Sequence, residues 1–129
     1  MAQDFPQRVL IIDDEPHIRT YLRMILADAG ATDIKEAGDC ANALLMYQHQ
    51  EPDLVLLDFN LPGEDGLAIL ERILALDPAA QVVMMTAVAS RETVEKCAAA
   101  GAANYIRKDT PRSQILQTLR EVWADASAE

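Results

Sequence analysis

The sequence is short of basic residues, cysteines and long apolar runs, and each shortage removes a class of function. Lys and Arg number 11 against 21 Asp and Glu, for a formal net charge of −10 over 129 residues. A surface of that sign repels phosphate backbones and anionic lipid, and no basic stripe offsets it, so direct contact with nucleic acid or a membrane is not expected. Two cysteines occur, Cys40 and Cys97. Each lies in a segment that reads as helical, and neither joins a Cys-x-x-Cys pair or a Cys/His cluster. A zinc site is therefore not expected, and both read as buried reduced thiols. No stretch approaches the ~20 apolar residues that span a bilayer, and residues 1–7 carry neither an apolar run nor a cleavage-site pattern. The expectation is a soluble cytoplasmic protein. A linker, a low-complexity run and a long tail are missing too, which predicts one domain over 1–129 with its core at about 8–125.

What the sequence does have is a regular alternation of two kinds of apolar pattern. Val9-Leu10-Ile11-Ile12, Leu54-Val55-Leu56-Leu57 and Val82-Val83-Met84-Met85 are short, continuous runs. Runs of this length suit strands buried on both faces, as in a parallel sheet. Asp33–Ala37 and Asn104–Ile106 are more mixed and predict edge strands. Helical spacing lies between. Ile18, Tyr21, Leu22, Ile25 and Ala29 form one stripe over Pro16–Ala29, with Asp14 or Glu15 available as a cap and Gly30 as the stop. Further helices are predicted at Cys40–His49, Gly66–Leu76, Arg91–Ala100 and Pro111 to about Asp125. The last has Thr110 as N-cap and a buried stripe of Ile115, Leu119 and Val122. Five strand-then-helix units with short links give a parallel α/β sheet with helices on both faces.

In such sheets ligands sit outside the carboxyl ends of the strands. The residues that follow the predicted strands are Asp13, Asp14 and Glu15, then Asp58, Phe59 and Asn60, then Thr86, then Lys108. Carboxylates crowded at one edge repel each other, and a hard divalent cation with oxygen ligands relieves that. A lysine ammonium and a threonine hydroxyl suit the oxygens of a phosphoryl group, and a carboxylate beside them can act as nucleophile. The first loop is acidic where a flavin or nucleotide module would carry a glycine-rich or hydroxyl-rich phosphate loop. Asn60 stands two residues after Asp58, where an aspartyl-phosphate phosphatase typically has a second acid, and amide cannot serve as general acid. His17 and His49 read as solvated helix residues, and Met84-Met85 as core filling.

The set Asp13-Asp14, Asp58, Thr86 and Lys108 resembles the receiver domain of bacterial two-component response regulators. The stretch Leu56-Leu57-Asp58-Phe59-Asn60-Leu61-Pro62-Gly63-Glu64-Asp65-Gly66 is similar to that family's phosphorylation loop. The likeness runs from about Arg8 to Trp123. It implies a flavodoxin-like sheet of order 2-1-3-4-5. It implies that Asp58 accepts a phosphoryl group from a histidine kinase or histidine phosphotransfer protein, and that the chain catalyses only its own phosphorylation and dephosphorylation. Mg²⁺ would be held by Asp13, Asp14, Asp58 and the backbone carbonyl of Asn60. Lys108 would pair with Asp58 and then with the phosphoryl group, while Thr86 and Tyr105 would turn inward as switch residues. Ala87 would leave the site open to donors, and Asn60 and Val88 would tune the lifetime of the phosphorylated form. The face of the fourth helix, fifth strand and fifth helix would change to control binding of a target protein, as a monomer or a phosphorylation-dependent dimer. One departure stands out: Lys108 precedes Asp109 where the family commonly has proline, which predicts a trans loop or a strained one. Lys108-Asp109-Thr110-Pro111 resembles a branch whose full-length members often carry a helix-turn-helix domain.

Overall fold

The computed structural model describes residues 5–87 and 90–127. The elements follow in the order β1 (Arg8–Ile12), α1 (Pro16–Ala29), β2 (Asp33–Ala37), α2 (Cys40–Gln50), β3 (Leu54–Asp58), β4 (Asn60–Leu61), β5 (Glu64–Asp65), α3 (Gly66–Leu76), β6 (Val82–Thr86), α4 (Arg91–Ala100), β7 (Asn104–Arg107) and α5 (Arg112–Ser127). Five strands form one parallel sheet in the order β2-β1-β3-β6-β7. β4 and β5 pair only with each other, antiparallel, across the Pro62-Gly63 turn. With that hairpin set aside the order is 2-1-3-4-5, the doubly wound, flavodoxin-like arrangement. The turn was legible; the ladder was not, because two residues on each side carry no periodic signal.

Side chains alternate across a strand, and the continuous apolar runs fill both faces. Val9, Ile11, Leu54, Leu56, Val83 and Met85 pack against α1 and α5. Leu10, Ile12, Val55, Leu57, Val82 and Met84 pack against α2, α3 and α4. The two methionines thus go to opposite cores. β1, β3 and β6 are interior strands, while β2 and β7 take the edges as their mixed composition predicts.

Several expectations shift. Tyr21 does not join the α1 stripe: it is 38% exposed, and Leu22, Ile25 and Leu26 carry the burial. At 3.6 residues per turn Tyr21 falls on the margin of the face those three define. Cys97 is buried as expected but Cys40 is only half-buried, since it opens α2 at the rim, where burial first and Glu64 after it raise its thiol pKa. α5 begins at Arg112, and the Pro111 carbonyl takes the Gln114 and Ile115 N–H groups at 3.0 Å each. Pro111 therefore precedes the helix instead of opening it. Among the described residues no helix is long and apolar enough to cross a membrane.

Candidate functional site

The chemistry gathers where the parallel strands end. Asp13 follows β1, Asp58 closes β3, Thr86 closes β6 and Lys108 follows β7. Strand-like hydrogen bonds continue into these positions. Asp13 N–H donates to the Ala37 carbonyl at 3.0 Å, Phe59 N–H to Met85 at 2.9 Å and Lys108 N–H to Thr86 at 2.7 Å. The backbone of buried strands, not loop conformation, sets where these side chains start.

They converge on one ammonium. Lys108 Nζ lies 2.8 Å from Asp13 Oδ2, 3.1 Å from Asp58 Oδ2 and 2.8 Å from Glu15 Oε1. The Lys108, Asp13 and Asp58 side chains are 8%, 2% and 2% exposed, against 43% for Glu15. Each buried carboxylate has its other oxygen fixed as well. Asp13 Oδ1 accepts from Glu15 N–H at 2.9 Å, and Asp58 Oδ1 from Asn60 N–H at 3.0 Å. Both are local side-chain-to-backbone turns of the kind aspartate favours. Arg19 reaches from α1 to the Asp13 carbonyl at 2.7 Å and to Glu36 at 3.1 Å, tying the acidic loop to β2. On the other side α3 presses against β3. A Cβ on Gly66 would lie 2.4 Å from the Asp58 carbonyl oxygen and 2.7 Å from Phe59 Cα, so only glycine fits there.

Of the other residues singled out from the sequence, Asp14 is exposed, and one of its carboxylate oxygens clusters within 4.8 Å of those of Asp13, Glu15 and Asp58. Thr86 is buried and Tyr105 half-buried beside it. Asn60 and Ala87 are exposed; Val88 lies outside the described residues. The Lys108-Asp109 bond is trans, as every described peptide bond is. Glu15 was missed as a site residue because an acid before a proline-led helix reads as a cap. Its side chain makes no cap hydrogen bond, and glutamate is not among the preferred N-caps. That poor fit was the available signal.

The family comparison agrees with this geometry. The response regulator receiver domain family matches residues 9–120. The chain belongs to that family. It is 34% identical over 119 residues to a chemotaxis protein CheY of Treponema pallidum, covering 91% of this chain and 83% of that one. A CheY-like receiver domain from Methanospirillum hungatei superposes with a TM-score of 0.88 at 28% identity, covering 95% and 97% of the two chains. CheY in the CheX–CheY–BeF3–Mg²⁺ complex of Borrelia burgdorferi superposes with a TM-score of 0.87 at 31% identity, covering 92% and 90%. The family's role is that of a phosphorylation-dependent signalling switch, and this receiver domain shares it.

The electrostatics of the receiver site follow from burial. Burial pushes the Asp58 carboxyl up to about 6, and the Asp13 charge adds to it, while the Asn60 N–H and Lys108 pull it down. Burial also works against the Lys108 charge, yet hydrogen bonds to Asp13, Glu15 and Asp58 outweigh it and raise the ammonium pKa. Lys108 in turn holds the Glu15 carboxyl below its ordinary range. Burial raises the Tyr105 phenol, and the Thr86 hydroxyl opposes it. Receiver domains bind Mg²⁺ in an acidic pocket, and the residues here fit that ion. The donors are all oxygens, four carboxylates cluster within 4.8 Å, and a single ammonium stands among them. A hard dication that accepts carboxylates and keeps several waters suits such a set.

Proposed function

We propose that Asp58 is the phosphoacceptor of this switch, with Lys108 and Thr86 as the groups that hold the transferred phosphoryl oxygens. The observation that carries this reading is the convergence of Asp13 and Asp58, both almost fully buried, on Lys108 Nζ at 2.8 and 3.1 Å from three separate strand ends. An Asp58 carboxylate oxygen attacks the phosphorus of a phosphohistidine on a kinase or phosphotransfer protein. The new P–O bond forms as the P–N bond breaks, and the electron pair leaves with the imidazole nitrogen. Hydrolysis reverses the modification: water attacks phosphorus, the P–O bond to Asp58 breaks and inorganic phosphate departs. Asp13, Asp14, Asp58 and the Asn60 carbonyl would hold Mg²⁺, which when bound neutralises charge on the transferring group.

Lys108 starts 3.1 Å from the Asp58 carboxylate, so a small displacement carries its ammonium to a phosphoryl oxygen. Thr86 closes the strand next to β3 and stands beside Tyr105 on the edge strand β7. A shift of Thr86 toward the phosphoryl group would therefore be felt on the α4–β7–α5 face, which we take as the surface offered to a target protein. The acceptor role is tested with beryllofluoride and Mg²⁺, which form a stable mimic of the phosphorylated carboxylate. Amide resonances of Asn60, Thr86 and Tyr105 should shift in the wild type and stay fixed in Asp58→Asn. A wild type that does not respond, or a variant that responds equally, would remove Asp58 from the role.

A further inference from the structure

Lys108 Nζ hydrogen-bonds Glu15 Oε1 at 2.8 Å and lies against the carboxylates of Asp13 and Asp58, with Asp13 Oδ2 left without a hydrogen bond. An ammonium has three N–H bonds and no more, and three carboxylates stand within 3.1 Å of Nζ. An ammonium drawn from this position onto a phosphoryl oxygen of Asp58 moves away from a carboxylate that it now faces. Asp13 cannot be the one that leaves: it is 1% exposed, and its other oxygen is fixed by the Glu15 N–H. Asp58 keeps Lys108 as a partner through its phosphoryl group. Glu15 remains. Its side chain is 43% exposed, so water can take over its oxygens once the lysine departs. Its backbone is anchored at both ends of the residue: the N–H donates to Asp13 Oδ1 at 2.9 Å, and the carbonyl accepts from Ile18 and Arg19 at 3.1 Å each. The side chain has no capping duty in α1. It can swing without disturbing the helix, and the exposed His17 imidazole stands 3.6 Å from its second oxygen on the solvent side.

We propose that Glu15 is a positioning residue that restrains Lys108 in the unphosphorylated protein and is the partner that Lys108 releases when Asp58 carries a phosphoryl group. This rests on the reading of Asp58 as acceptor. Glu15 then stabilises the resting state selectively and opposes activation by the free energy of that one contact. A partly exposed ion pair is a modest interaction, so its removal corresponds to about a threefold change in an equilibrium constant.

The test is Glu15→Gln, which keeps the shape and removes the charge. Beryllofluoride is titrated at saturating Mg²⁺ into wild type and variant and followed by the Asn60 and Thr86 amide resonances. Thermal unfolding of the resting protein is measured in parallel. The variant should bind beryllofluoride about threefold more tightly while its resting melting temperature falls slightly. A residue with a merely structural role would lower both together. Glu15→Ala should act in the same direction. Unchanged or weaker beryllofluoride binding by both variants overturns the restraint. So does a Mg²⁺ affinity that drops more than about threefold in Glu15→Gln, which would make Glu15 a metal-holding group. If wild type itself gives no response, the acceptor reading falls and the restraint with it. If wild type responds and the variants are no tighter, the restraint alone falls.

Discussion

Replacing Asp58 by asparagine should make the metal-free protein more stable at neutral pH, not less. The carboxyl is nearly sealed from water and burial lifts its pKa from 3.8 to about 6. A raised carboxylate means that the folded protein binds the proton more tightly than the unfolded chain. Between those two values the native state holds more protons, so stability falls as pH rises through that window. At ~1.4 kcal/mol per unit, the ionised carboxylate costs the fold about 3 kcal/mol at pH 7, about half of that at pH 5 and little at pH 4. Asparagine keeps the shape and an acceptor oxygen for the Asn60 N–H but does not titrate. The assay is thermal or urea unfolding of both proteins in chelator at several pH values. Asp58→Asn should melt roughly 10 °C higher at pH 7, and the gap should shrink steadily toward pH 4. A gap that does not change with pH, or a less stable variant at pH 7, would refute the claim that an incompletely compensated charge is held at Asp58.

Two further outcomes follow from the same geometry. Mg²⁺ should stabilise the wild type by about 2.7 kcal/mol at a hundred times its dissociation constant. Chelator should reverse the effect, and it should weaken from pH 7 to pH 5 as Asp58, with its pKa raised to about 6, takes up a proton; unfolding scans with and without the ion measure it, and an equal effect at both pH values would contradict the assignment of Asp58 to the ion. Gly66→Ala drives a methyl group into the Asp58 carbonyl, 2.4 Å from the added carbon. It should destabilise the fold by about 1–3 kcal/mol and weaken the beryllofluoride response at the same time, because relief requires the backbone of Asp58 to move. A variant with wild-type melting and titration would show that the contact is slack.

Most of the architecture could be read directly, for identifiable reasons. β1, β3 and β6 are buried on both faces over 9–12, 54–57 and 82–85, so those stretches are apolar without interruption and stand out from any amphipathic pattern. α1, α3 and α4 begin and end on residues that interrupt periodicity, and their predicted bounds coincide with the observed ones. The hairpin of β4 and β5 and the start of α5 escaped because they depend on backbone conformation over two or three residues. The acids and the lysine were legible as strand-end residues. The partner count on Lys108 was not. That Nζ takes three carboxylates depends on how far the Glu15 side chain reaches back over the loop, and neither its residue type nor its spacing encodes that distance. Tyr21 was misplaced for the opposite reason: spacing of three and four admits a wider arc than the helix buries.

The fold and the switch are linked through the cost of holding charge. Parallel strands that end side by side force Asp13 and Asp58 into one water-poor edge, and β7 supplies a single ammonium to balance them together with Glu15. Burial lifts the Asp58 carboxyl to about 6, so holding it ionised in the resting protein costs on the order of 3 kcal/mol. A ligand moves a two-state equilibrium only by the difference in its interaction with the two states, and relief of 3 kcal/mol corresponds to roughly a hundredfold shift. A dication meeting those carboxylates, and Lys108 moving from them to a phosphoryl oxygen, would act on that cost. The same site on an open surface would have its charges screened by water, and occupying it would release too little free energy to alter a distant face. The burial that makes Asp58 costly in the resting protein would give its proposed modification leverage over the rest of the domain.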